Sequence, residues 1–189
     1  MRCVPVMFAV MMLFSAAAQA QQLQEKQAPV FIDELRLSLS AHDLDSGGQR
    51  REDGADIGGE VLFTQFTVDV DNSVLRILLT PRPHLGAVVN THGDTSAAYA
   101  GLTWHVPLAG PLFVEGALGG AVHNGKRGNV NPGREPLGCR ALFREAGAIG
   151  IDLNDRLRVM ATISHMSNAG LCDENSGITD AGLALGYRF

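Results

Sequence analysis

The sequence predicts an all-β protein, an eight-stranded antiparallel transmembrane β-barrel of the bacterial outer membrane. Three observations lead to this fold class. Apolar and polar residues alternate with a period of two along eight segments, each of about 8–12 residues. Long and short connections alternate between these segments, as they do in outer-membrane barrels. The last segment carries an alternating apolar stripe that ends on Phe189, and this ending resembles the signal that the outer-membrane assembly machinery recognises.

Composition narrows the class of protein. The chain has 189 residues, of which 46% are hydrophobic and 19% charged, so a broadly disordered chain is excluded. A formal net charge of -5 argues against a nucleic-acid partner. The mean hydropathy of +0.07 is high for a soluble domain. After the first 20 residues, however, no apolar run approaches the roughly 20 residues that a transmembrane helix needs.

The first 20 residues have the pattern of a secretory signal peptide. Arg2 precedes an apolar run over 4–18, and Ala18-Gln-Ala20 supplies a small-x-small cleavage pattern. The apolar run is short for a retained anchor, which is the alternative interpretation. Residues 21–29 are polar and predict a short tail, and 30–189 predict a single barrel domain.

The cysteines predict one disulfide. Cys3 leaves with the predicted leader, and Cys139 and Cys172 remain in an oxidising compartment. Closing this loop would stabilise the fold by roughly 3–4 kcal/mol in the chain-entropy model. Two free thiols or a metal site are the alternatives. Two cysteines without clustered histidines make a poor zinc site, so we expect no metal, and no motif indicates a cofactor.

The predicted strands follow from the alternation, with turn residues between them. A phase slip between Phe63 and Phe66 predicts a bulge in the second strand. The stretch 74–83 is left unassigned because its prolines argue against a central strand. We expect long connections at 42–57, 123–138 and 169–177, and short ones at 109–111 and 152–155. The strands are predicted at 34–40, 60–69, 84–90, 95–108, 112–122, 140–151, 156–168 and 178–189.

Aromatic residues make up only 6% of the chain. Trp104, Phe113, Tyr187 and Phe189 are the residues that could form a sparse girdle at the periplasmic rim. A soluble secreted barrel of the lipocalin kind is therefore an alternative, since outer-membrane barrels normally carry richer aromatic girdles.

One segment carries residue types that could do chemistry. No G-x-S-x-G, H-E-x-x-H or P-loop motif is present. His165 and Ser167 are two apart on a predicted strand and share the parity of Ile163, so both should continue the lipid-facing stripe at the extracellular rim. A Ser nucleophile with a His general base could cleave an ester inside the lipid layer. The alternative is a pair of interfacial polar residues at a strand end, where the membrane is already hydrated.

Several strings in the second half of the chain match one known family. They are 113–119 (FVEGALG), 143–147 (FREAG) and, most specifically, 165–171 (HMSNAGL) followed by 175–177 (NSG). The chain resembles the outer-membrane lipid A 3-O-deacylases, the PagL-like proteins also called acyloxyacyl hydrolases. The resemblance covers 113–189 well and the N-terminal half only by pattern. It implies an esterase that acts on lipid A or lipopolysaccharide in the outer leaflet and releases a 3-hydroxy fatty acid.

The resemblance also implies roles for individual residues. Ser167 would be the nucleophile and His165 the base. Asn168 would help to form the oxyanion hole, together with the Gly170 amide. A disulfide between Cys139 and Cys172 would then pin a loop over the site.

The chain departs from the family at the third catalytic position. The family has a Glu there, and this sequence has Thr179, whose parity predicts a place beside His165. A hydroxyl can orient an imidazole but cannot offset the charge of an imidazolium. Asp180 has the opposite parity and should point into the barrel. Asp173 and Glu174 lie in the preceding loop, and the hypothesis is that Glu174 substitutes for the missing carboxylate.

Other functions stay open at this point. A non-catalytic member of the same family could have a structural or lipopolysaccharide-binding role, and a soluble carrier is a third hypothesis. The sequence leaves the oligomeric state open, including a homodimer.

Overall fold

A closed barrel accounts for most of the molecule. A computed structural model describes residues 31–44, 52–128 and 133–189. Within these residues, eight antiparallel strands follow one another in chain order around the barrel, which confirms the predicted fold class. The predicted leader (1–20) and tail (21–29) lie outside the described residues. The strands are β1 (Ile32–Ala41), β2 (Ala55–Phe63), β3 (Arg82–Asn90), β4 (Ala97–Pro107), β5 (Leu112–His123), β6 (Ala141–Asp152), β7 (Leu157–Ser167) and β8 (Ile178–Arg188).

The barrel closes between its first and last strands. β1 pairs with β8 from Glu34 opposite Arg188 to Ala41 opposite Ala181. This pairing removes both free sheet edges, whose unpaired backbone groups could not exist in hydrocarbon. No helix among the described residues is long and apolar enough to cross a membrane. We call the end where β1 begins and β8 ends the turn end, and the opposite end the loop end.

The barrel is apolar outside and polar inside. On β1, Leu37 and Leu39 face outward with 70% and 59% of their surface exposed, whereas Glu34 faces inward and is fully buried. Such an arrangement is typical of membrane barrels, whose outer face contacts lipid. It is the reverse of a soluble barrel with an apolar interior, so the lipocalin-like alternative is wrong.

A network of buried ion pairs fills the interior towards the turn end. Glu34 accepts from Arg36 at 2.7 Å and from Arg82 at 2.8 Å. Glu115 pairs with the same two arginines, each at 2.8 Å, and Arg158 lies 3.2 Å from Glu34. Buried charges are tolerated when each is paired and hydrogen-bonded, so these five side chains depend on one another.

The second strand differs from the prediction. β2 covers Ala55–Phe63 rather than 60–69. The phase slip between Phe63 and Phe66 marks the end of the strand and not a bulge, because the chain leaves the sheet after Phe63. The irregular register lies in β1 instead, between Ile32 and Glu34.

The connection from β2 to β3 contains a helix, α1 (Ser73–Leu79). Asn72 caps it by accepting from the backbone N–H groups of Val74 and Leu75, each at 3.0 Å. This connection lies at the turn end and is long, so the expected rule of short turns fails there. Pro83 is the second residue of β3 and lies at the turn end of that strand.

The predicted aromatic girdle is wrong in one member. Phe113 faces the interior with 1% of its surface exposed, and the Arg158 guanidinium lies 4.4 Å from its ring centre. The inward parity of β5 places Phe113 with Glu115 and away from lipid. Trp104, Tyr187 and Phe189 do share the outward parity of β4 and β8.

We predict that Glu115→Gln destabilises the barrel strongly. The change leaves Arg36 and Arg82 buried without one of their carboxylate partners, and breaking a buried pair typically costs about 3–5 kcal/mol. Urea unfolding in lipid vesicles measures this free energy. Asp155→Asn, in an exposed turn, is the control, and equal unfolding midpoints for the two variants would contradict the role of the network.

Candidate active site

Four connections join strands at the loop end: L1 (42–54), L2 (91–96), L3 (124–140) and L4 (168–177), of which the structure describes L2, L4 and parts of L1 and L3. β7 enters this end with His165 and Ser167 on its outer side, and β8 leaves it with Thr179 on the same side. All three side chains are half-buried. Their outward placement agrees with the parity seen in the sequence.

A hydrogen bond joins His165 to Thr179. The two residues are directly opposite each other in the register of β7 and β8, and His165 Nδ1 lies 2.8 Å from Thr179 Oγ1. Thr179 therefore occupies the place where the resemblance implies a Glu. In the part of the chain that the structure describes, Glu174 makes no hydrogen bond or ion pair with His165. The hypothesis that Glu174 substitutes for the missing carboxylate thus has no contact to support it here.

The Nε2 edge of the His165 ring lies against Gly177. A Cβ on Gly177 would lie 2.9 Å from Cε1 and 3.2 Å from Nε2 of His165, and Gly177 has a φ of +69°. A larger residue would therefore displace the imidazole. Among the described residues, Ser167 Oγ forms no hydrogen bond with His165, and such bonds commonly shorten only when substrate binds.

Asn168 ties L4 to L3. It is 1% exposed, and its amide Nδ2 donates to the carbonyls of Leu137 and Glu174. Its Oδ1 accepts from the Gly170 N–H at 2.9 Å. Asn168 and Gly170, which are expected to form an oxyanion hole, are thus hydrogen-bonded to each other in this structure.

The predicted disulfide between Cys139 and Cys172 is present, with a Cα–Cα distance of 5.8 Å. It joins the end of L3, two residues before β6, to L4. Between Ser167 and Cys172 the chain makes a tight turn, with φ of +53° at Ala169 and +79° at Gly170, closed by a bond from Leu171 N–H to Asn168 O. Positive φ at both central positions is the geometry of a type I′ turn, and it is unusual for alanine.

The structure adds two neighbours that the sequence analysis did not assign to the site. Phe143 lies opposite Ser167, and Glu145 lies opposite His165, in the register of β6 and β7. Both side chains are exposed on the outer side. Glu145 could not be found from the sequence, because a turn at 152–155 would pair Ile151 with Arg156 and His165 with Leu142, whereas the observed register pairs Asp152 with Arg158.

A buried cluster lies directly behind the site, inside the barrel. As its parity predicts, Asp180 points inward, and its Oδ1 is 3.3 Å from His42 Nδ1. The same imidazole contacts Asp56 at 2.9 Å and Glu52 at 3.1 Å. Leu44 N–H also donates to the Thr179 carbonyl at 2.6 Å. L1 is therefore attached to the first residues of β8.

The cluster is strongly ionic. Burial alone would lower the pKa of His42, but hydrogen bonds to Asp180, Asp56 and Glu52 outweigh it and raise the pKa to about 11. Burial alone would raise the pKa of Glu52, but hydrogen bonds from His42 and Thr95 outweigh it and lower the pKa to about 2. Ligand atoms of His42, Asp56 and Asp180 lie within 4.8 Å of one another. We call the hydrogen-bonded group of His42, Glu52, Asp56 and Asp180 the ionic clasp.

Closed antiparallel barrels with an apolar outer face and a polar interior are membrane proteins of the outer-membrane type. A family model described as lipid A 3-O-deacylase (PagL) matches residues 77–188. The chain belongs to this family and is an outer-membrane β-barrel. The loop end accordingly faces the cell exterior and the turn end faces the periplasm.

Comparison with solved structures agrees with the fold. The crystal structure of the outer membrane enzyme PagL superposes with a TM-score of 0.64 at 19% identity, covering 82% of this chain and 99% of that one. A de novo designed transmembrane β-barrel gives a TM-score of 0.52 at 10% identity, covering 87% and 99% respectively. No curated protein matches the sequence.

We predict that Gly177→Ala lowers any activity of the site by about 100-fold, the scale of loss that follows from misplacing a reacting group by about 1 Å. The added Cβ would displace His165, and the left-handed φ adds strain. Gly93→Ala in L2 is the control, because its φ of +78° is similar but a Cβ there would meet open space. Release of fatty acid from a lipid A substrate is the measurement, and equal rates for both variants would refute the contact.

We predict that the attachment of L1 to β8 weakens both at high pH and at low pH. The raised pKa of His42 stabilises the folded state fully below about 6.5 and loses effect as the pH rises towards 11. The lowered pKa of Glu52 stabilises fully above about 4.5 and loses effect as the pH falls towards 2. The hydrogen-exchange protection factor of the Leu44 amide should therefore be highest between about pH 4.5 and pH 6.5. A flat protection profile from pH 4 to 9 would contradict the clasp.

Proposed function

We propose that this chain is an outer-membrane esterase that hydrolyses the 3-O-linked acyl chain of lipid A and releases a 3-hydroxy fatty acid. The observation that carries the proposal is the outward His165 and Ser167 pair at the extracellular end of β7, with the imidazole held by Thr179. The other outward residues of β7 are apolar, as lipid requires, so polar side chains at this depth need a function.

The geometry of His165 supports a Ser–His mechanism. When Nδ1–H donates to Thr179 Oγ1, Nε2 is the free acceptor that a general base needs. Ser167 Oγ would attack the ester carbonyl while Nε2 takes its proton and passes it to the departing sugar oxygen. Water would then hydrolyse the acyl-enzyme, again with His165 as base.

Asn168 and Gly170 are proposed to stabilise the oxyanion. Asn168 follows Ser167 directly, and Gly170 belongs to the positive-φ turn that comes next in the chain. The Gly170 N–H now donates to Asn168 Oδ1. In the proposed reaction the oxyanion replaces that acceptor, and preorganised donors of this kind are typically worth about 3–4 kcal/mol.

The missing carboxylate is the weak point of this site. Thr179 orients the ring, but a neutral hydroxyl offers no charge to stabilise the imidazolium. Two carboxylates lie on neighbouring segments: Glu174 in L4, as proposed from the sequence, and Glu145 across from His165 on β6. We propose that one of them acts on the imidazolium through the low-dielectric outer side of the barrel.

We predict that lipid A from cells expressing the wild-type protein loses one 3-hydroxyacyl mass, and that lipid A from cells expressing Ser167→Ala keeps it. Mass spectrometry of extracted lipid A gives the result directly. Ser164→Ala, an inward-facing serine of the same strand, is the matched control and should behave as wild type. Heat-modifiable migration of each variant shows that the barrel has formed. Identical spectra for wild type and Ser167→Ala would overturn the esterase proposal.

We predict that Thr179→Glu raises activity, by up to about 10⁴-fold, which is the loss seen when a triad carboxylate is replaced by its amide. A carboxylate at this position would accept from Nδ1 and stabilise the imidazolium. Thr179→Gln is the control for size, and it should give no such gain. Equal rates for the two variants would contradict a need for charge at this position.

The same assay distinguishes a role of Glu174 from a role of Glu145. Glu174→Ala should lower the rate if L4 supplies the charge, and Glu145→Gln should lower it if β6 does. An unchanged rate in Glu174→Ala rejects the role of Glu174, and unchanged rates in both variants reject a substitute carboxylate.

A non-catalytic barrel that binds lipopolysaccharide is the second candidate function. The specific observations in its favour are Thr179 in place of a carboxylate and the full engagement of the Asn168 amide. It predicts unchanged lipid A in the mass spectra together with retention of the folded wild-type protein on immobilised lipid A.

A further inference from the structure

Helix α1 exposes an apolar face. Val74, Leu75, Leu78 and Leu79 have 63%, 49%, 57% and 49% of their surface exposed, and no residue of the helix is buried. Ile77 alone is half-buried. A helix that packed its apolar stripe onto the barrel would bury these side chains. This stripe therefore faces away from the protein.

The helix lies beside the lipid-facing wall. Trp104 projects from the outer side of β4 near the periplasmic end, and its Nε1 donates to the Leu78 carbonyl at 2.9 Å. A tryptophan on the outer face of a membrane barrel typically sits at the level of the lipid head groups. The contact with Trp104 thus holds α1 at the membrane boundary and against the outside of the barrel.

The polar groups of the helix are turned away from its apolar face. Arg76 is the one charged residue of α1, and its Nε and Nη2 donate to the Val70 carbonyl at 3.1 and 2.8 Å. Asn72 is used as the cap. The preceding segment adds Phe66 and Val68, which are 51% and 39% exposed. Because α1 contacts β4 and is bonded to Trp104, its apolar face adjoins the lipid-facing surface of β4.

We propose that α1 is an interfacial helix that rests in the inner leaflet of the outer membrane, with Val74, Leu75, Leu78 and Leu79 among the phospholipid acyl chains. The occupant of this surface is the phospholipid leaflet itself, because α1 is attached through Trp104 to the outer wall that contacts lipid. In an eight-stranded barrel β4 lies across from β8. The helix therefore lies against the wall opposite the His165 site and at the other end of the barrel.

The test uses a fluorescent probe at single positions of the full chain. In a Cys3→Ser background, Cys139 and Cys172 are bonded to each other, so an introduced cysteine is the free thiol. A nitrobenzoxadiazole label is placed at Leu75→Cys, Leu79→Cys and, as the matched control on the opposite side of α1, Ser73→Cys. The proteins are folded into vesicles of phosphatidylethanolamine and phosphatidylglycerol. Heat-modifiable migration and the emission of Trp104, the single tryptophan of the chain, show that barrel and helix are in place.

The proposal expects labels at 75 and 79 to be quenched by spin-labelled phospholipids, and to be at least about threefold less accessible to aqueous iodide than the label at 73. Equal accessibility to iodide at all three positions would overturn it, because α1 would then lie in water. Protection from iodide without quenching by lipid would also overturn it, since a protein surface would then cover the helix. If Leu75→Cys does not fold, Leu79→Cys carries the same test.

Discussion

Closure of β1 on β8 is the constraint on which the rest of the structure depends. Lipid offers no partner for a free backbone N–H or carbonyl, so the sheet must pair its own two edges. Closure fixes the register of every strand, and the register fixes which side chains face lipid. A slip of one residue in β7 would move His165 and Ser167 into the interior, together with the apolar residues that precede them. The position of the candidate site is thus a consequence of the same pairing that makes the barrel stable in a membrane.

Thr179 and Asp180 are consecutive residues of β8, and their side chains point to opposite sides of the barrel wall. Thr179 faces out and holds the imidazole of His165, and Asp180 faces in and holds that of His42. The first attachment orients a side chain of the site, and the second fastens L1 to the mouth of the barrel. L4 is fastened on its other side by Asn168 and by the disulfide. The outer site is therefore supported by contacts to the described residues of L1, L3 and L4, even though its own residues are only half-buried.

The sequence predicted the features that depend on the alternation of side chains along strands and on the number of cysteines. The closed eight-stranded barrel, the Cys139–Cys172 bridge, and the places of Thr179 outside and Asp180 inside followed from a period of two and an even cysteine count. It did not predict α1, because seven residues are too few for a helical period to stand out in an apolar stretch. The bounds of β2 failed because apolar residues continue past the end of the strand. The engagement of the Asn168 amide and the position of Glu145 depend on contacts between segments, which alternation alone does not specify.

The outward direction of His165 and Ser167 also sets which molecules can reach them. A side chain on the outer wall meets lipid molecules by lateral diffusion within the bilayer. Because the pair sits at the extracellular end of β7, lipids of the periplasmic leaflet do not encounter it while the two leaflets stay separate. If the pair is catalytic, as proposed, the asymmetry of the membrane selects its lipids before any contact with the head group is made. Loss of that asymmetry would present the site with lipids that it never meets in an intact envelope.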